Sequence, residues 1–531
     1  MSELLAGAQY IASIPSCTVI RCTDFILYIC CSMPFMPPGK IKSLKFPVLS
    51  VIFFYVTCFS ACTYDKEPVL LTKSCYPDNI AKIFSAKCAT AGCHNTQSKN
   101  GAGGFDLSTW DHLFEGGRNG SSVIPFRADK SFLMYFINTY RDLDTIILSP
   151  TMPNNGQVLS RNEVITVRDW IQNGAPDCKG NIKFCCDPLR KKYYVCHQDV
   201  DQVTVFDSKT RLPMRIIDVG NNPQQVESAH DIDVSPDGNF WYINFFSGQY
   251  FQKFSTINDQ LIGQVYIGPG QWSTVTITSD SKYAFVVNYS YGKVAFVDLE
   301  QMILKTTFTG LNSPHGCAVS DDFKTLYITA QTGNYIYKFD FSNDSTHMSP
   351  NVDQIVLGNG PVVYISSLDP HQVVISPDHT KYYVSCQKSN EVRVMSVAAD
   401  TLLAIIHTGE QPQELGFSET HPYLFVSCMN DSTTFASLHS YGSIGVINYN
   451  SDVLFQSVFT GWQPHGFNVD DDAGVVYVAN RNVNSSGPAP HHASGGTRNG
   501  YITIIDMSTL SLVPDYQVEV SSNPYEVGIR K

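Results

Sequence analysis

Cys88, Cys93 and His94 stand in the run I-F-S-A-K-C-A-T-A-G-C-H, a C-x-x-x-x-C-H motif. Covalent haem attachment ordinarily uses C-x-x-C-H: two thiols add across the vinyl groups, and a His directly after the second thiol is placed to ligate the iron. Here the spacer is two residues longer. The same residues allow a second chemistry, a Cys88–Cys93 disulfide with His94 incidental. Two methionines follow, Met134 in S-F-L-M-Y and Met152 in S-P-T-M-P-N-N-G. Cys75 and Cys178 bracket this stretch and are candidates to pair, although spacing alone does not fix connectivity.

The motif needs elements to hold it. The pattern from Ile80 to Lys87 predicts an amphipathic helix with Ile83 and Phe84 facing a core. Ser160 precedes Glu163 at capping-box spacing, and Val164, Val167, Trp170 and Ile171 share the helical face that follows. Gly174 stops that helix. A C…CH helix, an M-P turn and a closing W-I-x-x-G-A helix, in that order, resemble the cytochrome c domains of planctomycete and Bacteroidetes surface proteins. The resemblance covers about 100 residues, here 75–180. It implies a small all-α fold, with haem c attached at Cys88 and Cys93 and with His94 and Met152 as proximal and distal ligands. Met134 remains the rival to Met152.

Residues 185–531 repeat. First strands align from A-H-D-I-D-V-S-P-D-G at Ala229 through S-T-V-T-I-T at Ser273 and P-H-G-C-A-V at Pro314. They continue with P-H-Q-V-V-I at Pro370, P-Q-E-L-G-F at Pro412, P-H-G-F-N-V at Pro464 and P-Y-E-V-G-I-R at Pro524. Starts recur about every 42–60 residues, the period of four-stranded propeller blades. The first unit, from Lys192, lacks an opening strand, and the last strand of the chain, Tyr525–Ile529, can supply it. The fold class expected is mainly β, a closed seven-bladed propeller without a free sheet edge, preceded by the helical domain. The S-P-D-G turns and Y-V/V-D spacing resemble the YVTN family of propellers, a likeness that implies fold and no single function.

One alignment column concentrates chemistry. Directly after the Pro, or its equivalent, stand His230, Ser273, His315, His371, Gln413, His465 and Tyr525. First strands line a propeller's channel, so four imidazoles should converge there. His197, His439, His491 and His492 are expected on the same face, the last two in the Gly-rich stretch S-S-G-P-A-P-H-H-A-S-G-G-T. Convergent imidazoles bind copper or another transition metal, or ligate a neighbouring haem. The candidate metal set is His230, His315, His371, His465, His491 and His492. Against it stands a structural reading, in which P-H-G is a habit of aligned repeats. Cys386 and Cys428, alike in Y-V-S-C and F-V-S-C, are buried thiols or a bridge between blades.

The N-terminus reads as an export signal. From Met36 come Lys40, Lys42 and Lys45, an apolar run from Phe46 to Phe59, and F-S-A-C ending at Cys62. The small-small-Cys ending resembles a bacterial lipobox, which implies a lipid anchor on Cys62 and a cell-envelope location. Residues 1–35 precede a complete signal, as a start codon placed too early would leave them. This gives a leader over 1–61, a linker over 62–74, the haem-type domain over 75–180 and the propeller over 185–531. Export means an oxidising compartment, where disulfides and covalent haem both persist.

Composition narrows the function classes. The 531 residues carry a net charge of −12, only 16% charged residues and 12% aromatics. No basic patch of the kind that reads nucleic acid is visible. No serine triad, P-loop or dinucleotide fingerprint stands out. The expected function is electron transfer through haem c, with the propeller as docking or ligand-binding platform for an unidentified redox partner or small molecule. Two alternatives stay open: a surface binding propeller without haem, and an oxidoreductase with a metal centre on the histidine face.

Overall fold

The computed structural model describes residues 74–143, 146–154, 156–185, 187–432, 441–485, 487–490 and 498–531. The expected leader, linker and Cys62 lie outside the described residues, as do His439, His491 and His492. Residues 69–531 form one compact unit. No helix among the described residues is long and apolar enough to cross a membrane.

Seven antiparallel sheets make a closed ring. Six blades open on their own first strands: Ala229–Val234, Trp272–Ile277, Pro314–Val319, Pro370–Ile375, Pro412–Phe417 and Pro464–Asp470. Blade one is opened by the end of the chain. Pro524–Arg530 pairs antiparallel with Lys192–His197, so the sheet edge that would otherwise stay free is occupied. Blade seven departs from the simple count. Its outer edge is split between Ser511–Leu512 and Val518–Ser522, both paired with Asn499–Asp506.

Burial follows strand position. The second strands are covered on both faces, so they read as continuous apolar runs such as Tyr193-Tyr194-Val195. The fourth strands face solvent and alternate loosely, as in Leu261–Tyr266. The turns repeat for a chemical reason. In each of four blades a Ser or Thr hydroxyl donates to an Asp two residues on: Ser235 to Asp237, Thr278 to Asp280, Ser320 to Asp322 and Ser376 to Asp378, at 2.6–2.7 Å.

Ion pairs, one of them buried, tie blade to blade. Lys192 Nζ of blade one meets Asp259 of blade two at 2.7 Å, with both side chains almost wholly buried. Lys338–Asp400 and Lys381–Asp452 repeat the contact around the ring, at 2.7 and 2.8 Å. Cys386 and Cys428 are buried free thiols, as is Cys196.

Among the described residues, four short α-helices precede the ring: α1 (Asp78–Lys87), α2 (Trp110–Leu113), α3 (Phe132–Ile137) and α4 (Arg161–Gln172). Helix α1 buries Ile80, Ile83 and Phe84, and α4 buries Val164, Val167, Trp170 and Ile171. The two helices meet through Phe84 and Trp170, edge to face at 6.0 Å, and through Lys87–Glu163 at 2.9 Å. The capping box is formed, with Ser160 Oγ accepting from Glu163 N. Gly174 ends α4 at φ +94°, where a Cβ would strike Phe126 at 2.8 Å. The helical segment rests on the outer strand of blade one. Ser121 Oγ donates to Pro213 O at 2.7 Å, and Arg127 bonds Asp218 at 3.0 Å.

Candidate functional site

Two places in the unit gather reactive side chains. The first is a cavity of about 420 Å³ within the helical segment. Cys88, Cys93, His94 and Met152 all line it, together with Phe105, Leu107 and Phe136. Cys88 caps the C-terminus of α1. The longer spacer is taken up by a turn: Cys93 N donates to Thr90 O at 3.0 Å, Gly92 sits at φ +79°, and His94 N returns to Cys88 O at 3.1 Å. The two extra residues therefore leave the second thiol and the imidazole facing the same space as the first thiol.

His94 is oriented from behind. Its Nδ1 lies 3.3 Å from the carbonyl of Phe105, which can only accept, so Nδ1 carries the proton and Nε2 the lone pair. Burial lowers its pKa below the ordinary histidine value, which keeps the ring neutral. Burial also pushes the Cys88 thiol up to about 12. Cys88 and Cys93 are free thiols. Of the two methionines, Met134 is fully buried in the core and does not line the cavity. Met152 does, held by its N–H to Phe136 O at 2.8 Å. Two thiols, one neutral imidazole and one thioether around a largely apolar space form a donor set that fits haem c. Cys75 and Cys178 are also neighbours: Cys178 N donates to Cys75 O at 2.7 Å, and both are free thiols.

The second place is the propeller channel. Each of the seven first strands carries a bulge at the same point, between its opening residue (Pro in five, Ala229 and Trp272 in the others) and the third residue on, for example Pro370↔Cys386 followed by Val373↔Val384. A bulge turns two successive side chains into the channel. It brings together His230, His315, His371 and His465, all buried. His315 and His371 lie 4.1 Å apart by ring centroid, His371 and His465 5.9 Å, and Tyr525 links His465 to His230 at 3.8 and 4.3 Å. Desolvation lowers the pKa of His230 to about 3 and holds His315 and His465 well below the ordinary value.

The bulge also presents a second ring, one residue further on: Asp231, Thr274, Gly316, Gln372, Glu414, Gly466 and Glu526. Reading the same alignment one column further would have found these carboxylates. Burial raises Asp231 and Glu526 well above the usual carboxylate range. The glycines have a steric cause. A Cβ on Gly316 would meet His371 O at 2.4 Å, and one on Gly466 would meet Tyr525 O at 2.3 Å. P-H-G is thus partly a packing device, while the imidazoles beside it still converge.

His197 does not join them. It ends the second strand of blade one, buried, with Nε2 bonded to Thr204 Oγ1 at 2.8 Å. The reason is strand register: its side chain falls on the between-blade side and satisfies a threonine there.

No family model matches the chain, and no curated protein matches it. Among solved structures it is similar to a functionally unknown protein from Desulfotomaculum acetoxidans DSM 771, at 15% identity and a TM-score of 0.47, over 64% of this chain and 98% of that one. It is also similar to Kuenenia stuttgartiensis hydrazine synthase, at 18% identity and a TM-score of 0.46, over 58% of this chain and 93% of that one. The chain is a seven-bladed β-propeller protein with a thiol-, imidazole- and thioether-lined cavity in the helical segment before the ring.

Proposed function

We propose that the protein is an exported electron carrier that holds haem c covalently in the helical segment, with the propeller as its docking platform. A single observation carries this reading. Met152, far from the motif in sequence, lines the same cavity as Cys88, Cys93 and His94. A disulfide between the two cysteines would leave that convergence without a purpose.

Haem c bound there would supply one-electron chemistry at its iron. Cys88 and Cys93 would hold the porphyrin through thioethers, and His94 and Met152 would hold the iron. The Phe105 carbonyl fixes the His94 tautomer, and so aims Nε2 into the cavity. Phe105, Leu107, Phe132, Leu133, Phe136 and Ile137 exclude water, which with a thioether ligand favours a relatively high potential. With both His94 and Met152 as protein ligands, the group would suit electron transfer better than oxygen chemistry.

The platform role rests on adjacency. Arg118 and Asn119 line the cavity and also a larger cleft of about 1170 Å³ shared with blade seven. Trp462, Tyr501 and Tyr516 wall that cleft. A redox partner or small ligand seated there would lie beside the cavity edge. The F-S-A-C ending at Cys62 supports export and lipid anchoring in the cell envelope.

The test is a pyridine haemochrome spectrum of the full chain, produced with a c-type maturation system and denatured before measurement. The reading predicts a c-type band at about one haem per chain. No band, with a control cytochrome maturing in the same cells, overturns it and leaves the propeller as a binding module.

A further inference from the structure

We propose that the propeller channel holds a divalent first-row transition ion between His371, His465 and Glu414, a site separate from the haem cavity. One nitrogen from each imidazole and one carboxylate oxygen already lie within 4.8 Å of one another. Donors as much as 4.8 Å apart must draw in by less than about 1 Å for one ion to reach all three at bond lengths of about 2.0–2.2 Å.

The donors are free to bind. Both ring nitrogens of His465 are buried without a hydrogen-bond partner, and so is Nε2 of His371. His371 Nε2 stands 3.5 Å from Glu414 Oε1 without a hydrogen bond to it. An orphaned buried polar atom is costly, and one nitrogen from each of these two rings, close to Glu414, is explained by a shared ligand. Neighbouring side chains hold these groups in place. Gln372 Nε2 donates to Glu414 Oε2 at 2.9 Å and leaves Oε1 turned toward the histidines. The Gln331 Nε2 amide donates to His371 Nδ1 at 3.3 Å and fixes the plane of that ring. Tyr525 stacks on His465 and fixes its plane.

Charge points the same way. Glu414 shares a 160 Å³ cavity with Asp231, Asp233 and Glu526, so four carboxyl groups crowd one buried space. The guanidinium of Arg481, on the histidine side, is engaged elsewhere, over the Tyr525 ring at 4.9 Å and on Asn523 at 2.7 Å. A dication at Glu414 relieves the crowding. Two imidazoles and one carboxylate select transition ions over calcium or magnesium, which prefer all-oxygen shells. Three protein ligands leave a position for water, and the cavity beside Glu414 has room for it.

The experiment uses the full chain stripped with EDTA, in a Cys88→Ser/Cys93→Ser background so that those thiols take no metal. Zinc is added, the chain is dialysed, and retained metal is counted. About one zinc per chain is expected, with affinity at least ~10-fold weaker in Glu414→Gln and in His465→Gln, and unchanged in the surface variant His379→Gln. The melting midpoint of the parent should rise with zinc and fall back with EDTA. That readout stands even where a channel variant fails to fold. A midpoint indifferent to zinc, or zinc held equally by Glu414→Gln and His465→Gln, overturns the site. Neither result depends on whether haem binds.

Discussion

The Nδ1–H of His94 donates to the carbonyl of Phe105, eleven residues on, across the floor of the helical-segment cavity at 3.3 Å. A backbone carbonyl cannot be removed by substitution, so the imidazole keeps one tautomer whatever happens to the ligand opposite. That asymmetry shapes the first prediction.

With haem c attached as proposed, Met152→Ala should leave that attachment intact, because the thiols and His94 are untouched. It should open one axial position, lower the midpoint potential by on the order of 0.1 V within the range axial ligands command, and admit external ligands such as azide. Potentiometry and a ligand-binding difference spectrum would check it. A potential unchanged in Met152→Ala would mean that another group holds the distal side.

Asp259→Ala removes the partner of a buried ammonium. Lys192 Nζ would keep only its bond to Thr256 O at 2.7 Å. Orphaning one member of a buried pair costs about 3–5 kcal/mol, whereas the double variant Lys192→Met/Asp259→Leu should cost far less, because no charge remains. Urea unfolding of both variants measures the difference.

Folding stability should fall in mild acid, with His197 as one cause. Burial lowers its pKa from the ordinary 6.5 to about 3. The unfolded chain therefore takes up the proton first. Stability is fully present above about pH 6.5, and is lost progressively as the pH falls toward 3. At pH 5 the loss from this one residue is about 2 kcal/mol. Melting midpoints measured from pH 7.5 to 4.5 should show the slope, and His197→Asn should make it shallower over the same interval.

Gly466→Ala places a methyl group against Tyr525 O and the Cα of Glu526. Backbone cannot yield as a side-chain tip can, so the loss should reach at least about 1–3 kcal/mol. Gly474→Ala provides a contrast of a different kind: its φ is +65°, but its Cβ would meet nothing within 4 Å. It should cost only the backbone strain, roughly 1 kcal/mol. Thermal melts that rank the two in the opposite order would sink the steric account of P-H-G.

Much of the ring was legible in the sequence. Seven first strands, the missing opener of blade one and its replacement by the chain end follow from counting repeats, because each blade must satisfy its own edge. The capping box at Ser160, the apolar face of α4 and the stop at Gly174 are local matters, decided within a few residues, and they stand as the sequence pattern predicts.

What the sequence could not decide is which distant side chains meet. On paper Met152 is favoured over its rival Met134 only by the family resemblance. Only the packing of α3, which drives Met134 into the core, leaves Met152 on the cavity wall. Four histidines could be aligned, yet nothing in the alignment joined Glu414 to His371 and His465. That meeting depends on a bulge in each first strand, which turns two successive residues inward where a regular strand would turn one. His197 shows the converse: strand register buries it between blades beside Thr204. The residue types and repeat period therefore set the ring and its candidate donors, while the bulges and helix packing choose among those donors, because contacts between distant residues are fixed only once the chain closes on itself.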